Sequence, residues 1–342
     1  MKQHFSIAAF TALIGSLISV APSASAQEFF AGKTINITVG STTGGSYDAY
    51  ARLVARHYGR NIPGNPSVVI KNLPGAGGIK AAQQVYSIGV KDGTELGAPL
   101  NTVPVTMLLE PDKFALQPEA FIWLGTVASP ANVLAVWHTA GVKTLADAKR
   151  IETTIGSTNP GTTKEMFPLL ANRLLGTKFH VINGYLGGAE INLAVERGEV
   201  QGHGANSWVS YQFQNSDWVR DNKIVPLFQV TFERDPALAN VPTLMELAEN
   251  DEQKQIMLIL TTTEAIGRPL VAPPGVPAER AQLLRRSFDA TMSDKGFLAD
   301  AEKAGLEVGP TSGEKLQDMV KTMMASPPDI AEKYKTAVAS GK

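Results

Sequence analysis

Four glycine-rich segments contain the residues whose types and spacing point most directly to chemistry. Each lies between a predicted strand and a predicted helix: residues 40–46 (GSTTGGS), 72–78 (NLPGAGG), 156–163 (GSTNPGTT) and 183–188 (NGYLGG). Glycine lets the backbone adopt positive φ and approach a ligand closely, and the first N–H groups of a helix have no intrahelical partner. A turn of this kind is suited to bind a small anion such as a carboxylate. One turn alone is better explained as a tight connection between a strand and a helix, whereas four turns of one type favour binding.

The elements that must position these turns alternate along the chain. Residues 35–39 (INITV) predict a strand, and apolar residues at helical spacing between positions 167 and 174 predict a helix. Such alternation is typical of an α/β fold with largely parallel sheets. Ligands of open α/β sheets bind beyond the carboxyl ends of the strands. Residues 256–263 are interpreted as a further strand, and residues 326–342 as a frayed terminus.

Several classes of function are excluded by composition and by missing motifs. The 342 residues include no cysteine, so disulfides, thiolate metal sites and cysteine nucleophiles are absent. The histidines are scattered, no G-x-S-x-G sequence occurs, and residues 31–34 (AGKT) lack the upstream glycine of a phosphate-binding loop. The net charge of −1 gives no basic excess for nucleic acid. The sequence therefore predicts no catalytic residue, no metal and no cofactor.

The first 26 residues are predicted to be a signal peptide. Lys2 precedes a short apolar stretch, and Ala24-Ser25-Ala26 forms an A-x-A cleavage site. The stretch is short for a membrane span, and without cysteine the cut end carries no lipid. We expect a soluble protein of the bacterial periplasm after cleavage near Ala26.

In order and spacing, the turns resemble one known family. Gly44-Gly45 followed by Asp48, the 72–78 loop, and the 184–188 loop (GYLGG) followed by residues 196–200 (ERGEV) are similar to the periplasmic solute-binding receptors of the tripartite tricarboxylate transporter family, the Bug type. Residues 241–243 (VPT) and 272–277 (APPGVP) are further marks of the family. The resemblance covers residues 35–310, which is nearly the whole chain after the signal peptide.

This resemblance implies a two-lobed α/β fold, the type II or Venus-flytrap fold of periplasmic binding proteins, with a central sheet in each lobe. The hinge would consist of crossing strands near residues 132–137 and 256–263. Lobe one would comprise residues 27–130 and 256–342, and lobe two residues 131–255. The lobes would close on a small organic acid. The receptor, expected to be a monomer, would hand the acid to the large and small membrane subunits of a permease. The ligand-binding residues implied are Thr42, Thr43, Gly44, Gly45, Asp48, Gly75, Ala76, Gly77, Ser157, Thr158, Thr162, Thr163, Lys164, Tyr185, Gly187, Gly188, Asn206 and Trp208.

Two residues of this set fit more than one role. Asp48 is four residues before Arg52, so the two side chains are placed to pair on one helix, and Asp48 is also placed to hold the first turn in shape. Trp208 fits either a core aromatic or the floor of a cleft. Three features depart from the family pattern. Thr42 and Thr43 stand where many members carry prolines, Lys164 stands near a position often occupied by Ser or His, and Gly202-His203 replaces an acidic ending.

Other functions remain open on the sequence alone. Helix-end sites do not distinguish a carboxylate from a phosphonate, a sulfonate or an aromatic acid, and a receptor of this kind either transports or signals. A secreted enzyme on the same scaffold would need an activated nucleophile, and no base is placed by motif near Ser46, Ser157 or Thr163.

Overall fold

The computed structural model describes residues 29–339. The predicted signal peptide lies outside the described residues. Within residues 29–339, none of the helices has the length and apolar character needed to cross a membrane.

The first sheet has six strands in the order β11-β4-β10-β3-β1-β2. Strand β1 pairs in parallel with β2 and β3, whereas β10 runs antiparallel to β3 and β4. The strands are β1 (Thr34–Val39), β2 (Ser67–Asn72), β3 (Glu95–Ala98), β4 (Ile122–Thr126), β10 (Pro269–Ala272) and β11 (Thr311–Ser312).

The second sheet has five strands in the order β7-β6-β8-β5-β9. Strand β6 is parallel to β7 and β8, and β5 is antiparallel to β8 and β9. The strands are β5 (Asn132–Trp137), β6 (Thr153–Gly156), β7 (Phe179–Ile182), β8 (Gly202–Ser207) and β9 (Ile224–Val230). The two sheets confirm the predicted two-lobed α/β fold, and we call the halves built on them the first and second lobes.

Helices cover the sheets and join the strands. They are α1 (Ser46–Tyr58), α2 (Ile79–Gln83), α3 (Val103–Leu109), α4 (Leu145–Ala148), α5 (Thr163–Leu175), α6 (Gly188–Glu196), α7 (Trp208–Gln214), α8 (Ser216–Arg220), α9 (Asp251–Ile266), α10 (Ala278–Met292), α11 (Lys295–Lys303), α12 (Gly313–Met324) and α13 (Pro328–Ala337). Buried apolar side chains on β1, α1 and α10 form the core of the first lobe, including Ile37, Leu53 and Phe288.

The expectation of largely parallel sheets is wrong for the strands next to the crossings between lobes. Strands β5 and β10 each follow a crossing of the chain from one lobe to the other, and each runs antiparallel to both of its neighbours. Only the strands that are joined through helices within one lobe, such as β1 with β2, keep the parallel pairing of a βαβ unit.

The strand predicted at residues 256–263 is also wrong, because these residues lie inside helix α9. Asn250 caps the helix by accepting a hydrogen bond from the Gln253 N–H. The apolar run at residues 256–260 (IMLIL) fits a buried strand as well as a buried helix, and in the helix the Thr263 hydroxyl donates to the Ile259 carbonyl at 2.8 Å. The run is buried on several sides, which explains why it reads as continuous apolar sequence.

Two short extended segments make the crossing that the sequence assigned to residues 256–263. The Val127 N–H donates to the Arg268 carbonyl, and the Arg268 N–H donates to the Ala128 carbonyl, both at 3.0 Å. Gly267 has φ +60°, and a Cβ at this position would stand 1.9 Å from the Ala128 oxygen. Only glycine therefore fits where the two segments cross.

The carboxyl terminus is more ordered than predicted. Residues 328–337 form helix α13, and Tyr334 and Ile330 are buried against the rest of the molecule. Helix α13 packs on both α3 and α5, so it contacts both lobes. Burial of this apolar face explains why the segment folds although its sequence is mostly polar.

Candidate functional site

All four glycine-rich turns connect a strand to a helix, as predicted. The first loop (residues 40–45) joins β1 to α1, the second loop (residues 73–78) follows β2, the third loop (residues 157–162) joins β6 to α5, and the fourth loop (residues 183–187) joins β7 to α6. Parallel pairing of β1 with β2 and of β6 with β7 places the loops of each lobe side by side. The two pairs therefore lie at the carboxyl edges of the two sheets.

The helices that follow these loops begin without a side-chain cap. The N-terminal residues Gly45 of α1, Thr162 of α5 and Gly187 of α6 make no capping hydrogen bond through a side chain. Some helices elsewhere have such caps, for example Asn250 before α9 and Asp294 before α11, whereas α3, α8, α10 and α13 do not. The first N–H groups of the loop helices are consequently able to donate hydrogen bonds to a bound anion.

A buried carboxylate joins the two loops of the first lobe. Asp48, in the first turn of α1, is 2% exposed. Its Oδ2 accepts from the Gly44 N–H at 2.8 Å and from Arg52 Nε at 2.9 Å, and its Oδ1 accepts from the Asn72 amide at 2.9 Å. The Arg52 guanidinium, together with the Gly44 and Asn72 donors, lowers the pKa of Asp48 to about 2. Both sequence interpretations of Asp48, pairing with Arg52 and shaping the first turn, are confirmed.

The second lobe has a corresponding carboxylate that the sequence analysis missed. Glu165, in the first turn of α5, is also 2% exposed. Its Oε2 accepts from the Gly161 N–H at 2.7 Å, and its Oε1 accepts from the Asn183 amide at 2.7 Å. Glu165 thus joins the third loop to the fourth in the way that Asp48 joins the first to the second. A repeated signal was present in the sequence: a glycine four residues before the acid, and an asparagine at the end of the neighbouring strand.

Lys164 lies beneath the start of α6 in the second lobe. Its ammonium donates to the Ala205 carbonyl at 2.5 Å and to His203 Nε2 at 3.1 Å. His203 is fully buried, and its Nδ1 lies 2.9 Å from Asn192 Oδ1. This contact assigns the proton to Nδ1 and leaves Nε2 as an acceptor. Burial and the Lys164 charge keep the pKa of His203 well below its ordinary value, so the ring is neutral.

The charge of Lys164 is only weakly stabilised by the folded protein. Desolvation lowers the pKa of Lys164 from 10.5 to about 8; the Glu264 carboxylate opposes this shift, and the Arg268 guanidinium adds to it. The partners within hydrogen-bonding distance are a neutral imidazole and a carbonyl. A further anion near Nζ would therefore be favourable.

Residues 264–268 contact the helices behind both the first and the third loops. Glu264 accepts from the Asn132 amide through Oε2, and its Oε1 is buried without a hydrogen-bond partner among the described residues. Thr163, the first residue of α5, is close enough to lower the pKa of Glu264. On the other side, the Tyr47 hydroxyl oxygen lies 3.2 Å from the Gly267 carbonyl oxygen and 2.8 Å from Asn101 Oδ1, and either oxygen is placed to accept its one proton. Burial raises the pKa of Glu264. The first turns of α1 and α5 consequently meet at this crossing, one from each lobe.

The remaining predicted residues are distributed around these loops. Thr42, Thr43 and the 75–77 segment are exposed on the first lobe, and Gly75, Ala76 and Gly77 all have positive φ. In the second lobe, Ser157 is fully buried, Tyr185 and Thr158 are partly exposed, and Gly187 and Gly188 begin α6. Asn206 Oδ1 lies 3.6 Å from the position of a Cβ on Gly188. Thr162 accompanies Thr163 at the start of α5.

Trp208 lies in an apolar cluster behind the loops. It packs with Tyr211, Trp218 and Val133 on the second sheet and is 7% exposed. The core role is therefore the one that the structure favours. Its Nε1 is buried without a hydrogen-bond partner among the described residues.

The comparisons with known proteins agree with this geometry. No family model matches the chain. The UPF0065 protein in the gbd 5′ region of Cupriavidus necator is 26% identical over 319 residues, which are 90% of this chain and 89% of the relative. This similarity extends over nearly all of both proteins.

Solved structures of solute-binding proteins share the fold. A TctC solute-binding protein from Polaromonas superimposes with a TM-score of 0.68 at 19% identity, covering 88% of this chain and 98% of that one. Rpa4515 of R. palustris, solved with adipate, gives a TM-score of 0.61 at 21% identity over 89% and 97% of the two chains. The periplasmic binding protein BugD gives 0.57 at 20% identity over 89% and 97%. The resemblance stated from the loops is thus confirmed: the chain has the fold of the TctC and Bug solute-binding proteins and a UPF0065 relative in sequence.

Proposed function

We propose that this protein is a periplasmic receptor that binds a small organic carboxylate between its two lobes and delivers it to a tripartite tricarboxylate-type permease. One observation carries the proposal: two helices without side-chain caps, α1 and α5, meet from opposite lobes at residues 264–268. Each offers free N–H groups to an anion at the carboxyl edge of its sheet. The protein acts by binding, not by catalysis.

A carboxylate is the anion that best fits the loops. The energy needed for micromolar affinity, about 8 kcal/mol, is within reach of a few hydrogen bonds to a charged group at about 1.5–3 kcal/mol each. Rpa4515, which shares the fold, was solved with the dicarboxylate adipate. A di- or tricarboxylate would use the loops of both lobes at once.

The ligand would contact the loops mainly through backbone. In the first lobe we propose Thr42, Thr43, Gly44 and Gly45, with the 75–77 segment beside them and Asp48 holding the loops in shape. In the second lobe we propose Ser157, Thr158, Thr162 and Thr163, with Lys164 beneath the start of α6. Tyr185, Gly187, Gly188 and Asn206 would complete that side, and Trp208 would support it from the core.

Binding would close the lobes about the crossing segments. The proposed lobes are residues 27–130 with 256–342, and residues 131–255, and a ligand would shift the equilibrium toward a closed state because it contacts both lobes only there. Removal of the signal peptide near Ala26 would release the receptor as a soluble monomer in the periplasm. The large and small membrane subunits of the permease would then receive the ligand.

A thermal-shift screen tests the proposal. The panel contains mono-, di- and tricarboxylates, amino acids, phosphonates and sulfonates, and we expect a saturable rise in Tm with at least one carboxylate. Stabilisation by phosphonates or sulfonates alone would reassign the ligand class. Turnover of a stabilising compound would indicate an enzyme. If the protein binds the compound but deletion of its gene leaves uptake of that compound unchanged, the receptor would act in signalling.

Two glycine substitutions test the position of the site. Gly45→Val and Gly187→Val should abolish stabilisation by the ligand without unfolding the protein, since neither residue has positive φ and a Cβ at either position meets no atom closer than 3.4 Å. Ala325→Val, an exposed change after α12, is the control. If Gly45→Val binds as tightly as the wild type, the first loop is not part of the site.

A further inference from the structure

The Lys164 ammonium is held against the second sheet by two neutral acceptors. Its Nζ lies 3.1 Å from His203 Nε2 on β8 and donates to the Ala205 carbonyl. Its third N–H has no hydrogen-bond partner within residues 29–339. A Cβ on Gly188 would stand 3.8 Å from Nζ and 3.4 Å from His203 Cε1. The ammonium is therefore placed below the first turn of α6 with one donor unused.

His203 is itself fixed by hydrogen bonds that lead away from the loops. Its Nδ1 lies 2.9 Å from Asn192 Oδ1, and Asn192 Nδ2 donates to Asn215 Oδ1 at 3.0 Å. Because the Asn192 amide donates to Asn215, its oxygen faces the ring and Nδ1 carries the ring proton. The Tyr211 ring packs edge to face against the imidazole, with 6.4 Å between the centroids. The ring is thus held with Nε2 as the acceptor for Lys164.

A neutral acceptor supports the ammonium without cancelling its charge. His203 is fully buried, and burial and the Lys164 charge keep its pKa well below the ordinary value, so the ring stays neutral at neutral and alkaline pH. Among the charged groups around Lys164, Glu264 of α9 favours its charge and Arg268 at the crossing opposes it. Burial raises the pKa of Glu264, which makes this carboxyl group a weak counter-ion. Most of the positive charge is consequently left for a ligand.

We propose that His203 is a positioning residue of the ligand site: held by Asn192, it keeps the Lys164 ammonium protonated and directed beneath the first turn of α6. His203 is buried and does not touch the ligand, so it acts through Lys164. This inference rests on the proposed function and adds to it the residue that sets the pH range of binding. Binding should weaken at alkaline pH because Lys164, with a pKa of about 8 in the free protein, loses its proton there while His203 stays neutral.

The test follows adipate binding by calorimetry from about pH 6 to about pH 9.5. His203→Leu removes the acceptor, whereas His203→Gln offers an oxygen to Lys164 and an N–H to Asn192. His57→Leu is the matched control, because His57 is also a buried histidine with an edge-to-face ring contact, to Phe297, but lies in the last turn of α1. Spectra of protein labelled with carbon-13 at the lysine Cε give the pKa of Lys164 without a ligand, and Lys164→Gln identifies its signal.

In the wild type we expect the affinity for adipate to fall about tenfold between pH 7.5 and pH 9.5. His203→Leu should lower the pKa of Lys164, move this fall about one pH unit lower and weaken binding about fivefold at pH 8. His203→Gln and His57→Leu should both stay within about half a pH unit of the wild type. A merely structural role for His203 would lower Tm without moving the pH profile.

A double variant shows whether His203 acts through Lys164. Lys164→Gln combined with His203→Leu should bind adipate as Lys164→Gln does alone. If His203→Leu does not fold, Asn192→Leu must produce the same shift, since its loss frees the ring proton to move to Nε2.

Three results would overturn the inference and leave the proposed function standing. They are an unchanged pKa of Lys164 in His203→Leu, which the spectra show whether or not adipate binds, an equal shift of the profile in His203→Gln or His57→Leu, and a further loss of affinity in the double variant. A wild type that binds no carboxylate would contradict both.

Discussion

The two lobes hold their pairs of loops together in the same way but differ in the partner of the cation next to the buried acid. In each lobe a buried acid in the first turn of a helix accepts from the N–H of a glycine four residues earlier and from an asparagine amide in or next to the neighbouring strand. In the first lobe the acid, Asp48, is paired with Arg52. In the second lobe the adjacent cation, Lys164, is directed to a neutral histidine and a carbonyl instead.

Because of this difference, the same loop arrangement has a different role in each lobe. The first lobe neutralises its own buried charge, so its loops are held in shape without help from a ligand. The second lobe keeps a cation whose charge is poorly compensated inside the protein, which leaves it available to a ligand anion. The comparison predicts that changes to the two acids have similar effects. It also predicts that Asp48 makes stability rise with pH in the acid range and that Lys164 does so in the alkaline range.

Removing either buried acid should have the largest effect on stability. Asp48→Ala and Glu165→Ala each leave a buried glycine N–H and an asparagine amide unpaired, so we expect each to lower the free energy of unfolding by about 2–4 kcal/mol. Urea unfolding measures the change, with the exposed Asp112→Ala as control. If one of the two variants is as stable as the control, the equivalence of the lobes is wrong.

Lowering the pH should reproduce part of the destabilisation expected for Asp48→Ala, without any substitution. The pKa of Asp48 is about 2 in the folded protein and 3.8 without the fold. The stabilisation by the carboxylate is therefore complete above pH 4 and is lost as the pH falls toward 2. The variant Asp48→Asn should lack this part of the acid limb when unfolding is followed at several pH values, and an unaltered limb would argue against the Arg52 pair as its source.

Lys164 should also make stability rise with pH, but in the alkaline range and for the opposite reason, because the folded protein disfavours the charged form of its side chain. The folded protein lowers its pKa from 10.5 to about 8, so between these values the unfolded chain binds more protons and stability rises with pH. We expect a gain of about 2 kcal/mol from pH 7.5 to pH 10 relative to Lys164→Met, allowing for partial exposure of the side chain. The exposed Lys178→Met is the control. Parallel curves for the wild type and Lys164→Met would mean that the charge is fully compensated.

Substitution of the two glycines whose N–H groups donate to the acids should have the smallest effect on stability, and the effect should be similar in the two lobes. Gly44 and Gly161 have φ of +86° and +78°, and a Cβ on either would meet no atom within 4 Å. Gly44→Ala and Gly161→Ala should each lower stability by about 1 kcal/mol, because only the backbone is strained. Gly187→Ala, with φ of −175°, should change it by a few tenths. A marked difference between the two lobes would show that the loops are not held alike.

Local features of the site were predictable from the sequence, and distant contacts were not. The loops follow from glycine content and strand–helix alternation, and the Asp48–Arg52 pair follows from a spacing of four residues. By contrast, Lys164 and His203 are 39 residues apart, and Arg268 reaches Tyr47 across 221 residues. No local preference encodes such contacts. The apolar run at residues 256–260 of α9 misled the strand prediction, because a helix segment that is buried on several sides cannot be told from a buried strand by periodicity alone.

The most direct test of the account is a calorimetric titration of adipate at pH 8.5 in two buffers with different ionisation enthalpies. Free Lys164, with a pKa of about 8, is mostly neutral at this pH, and a bound carboxylate would raise that pKa. We predict saturable one-to-one binding with uptake of about half a proton or more, and no uptake with Lys164→Gln. Saturable binding without proton uptake in the wild type would contradict the role of the second-lobe cation, and no binding of any carboxylate would contradict the receptor itself.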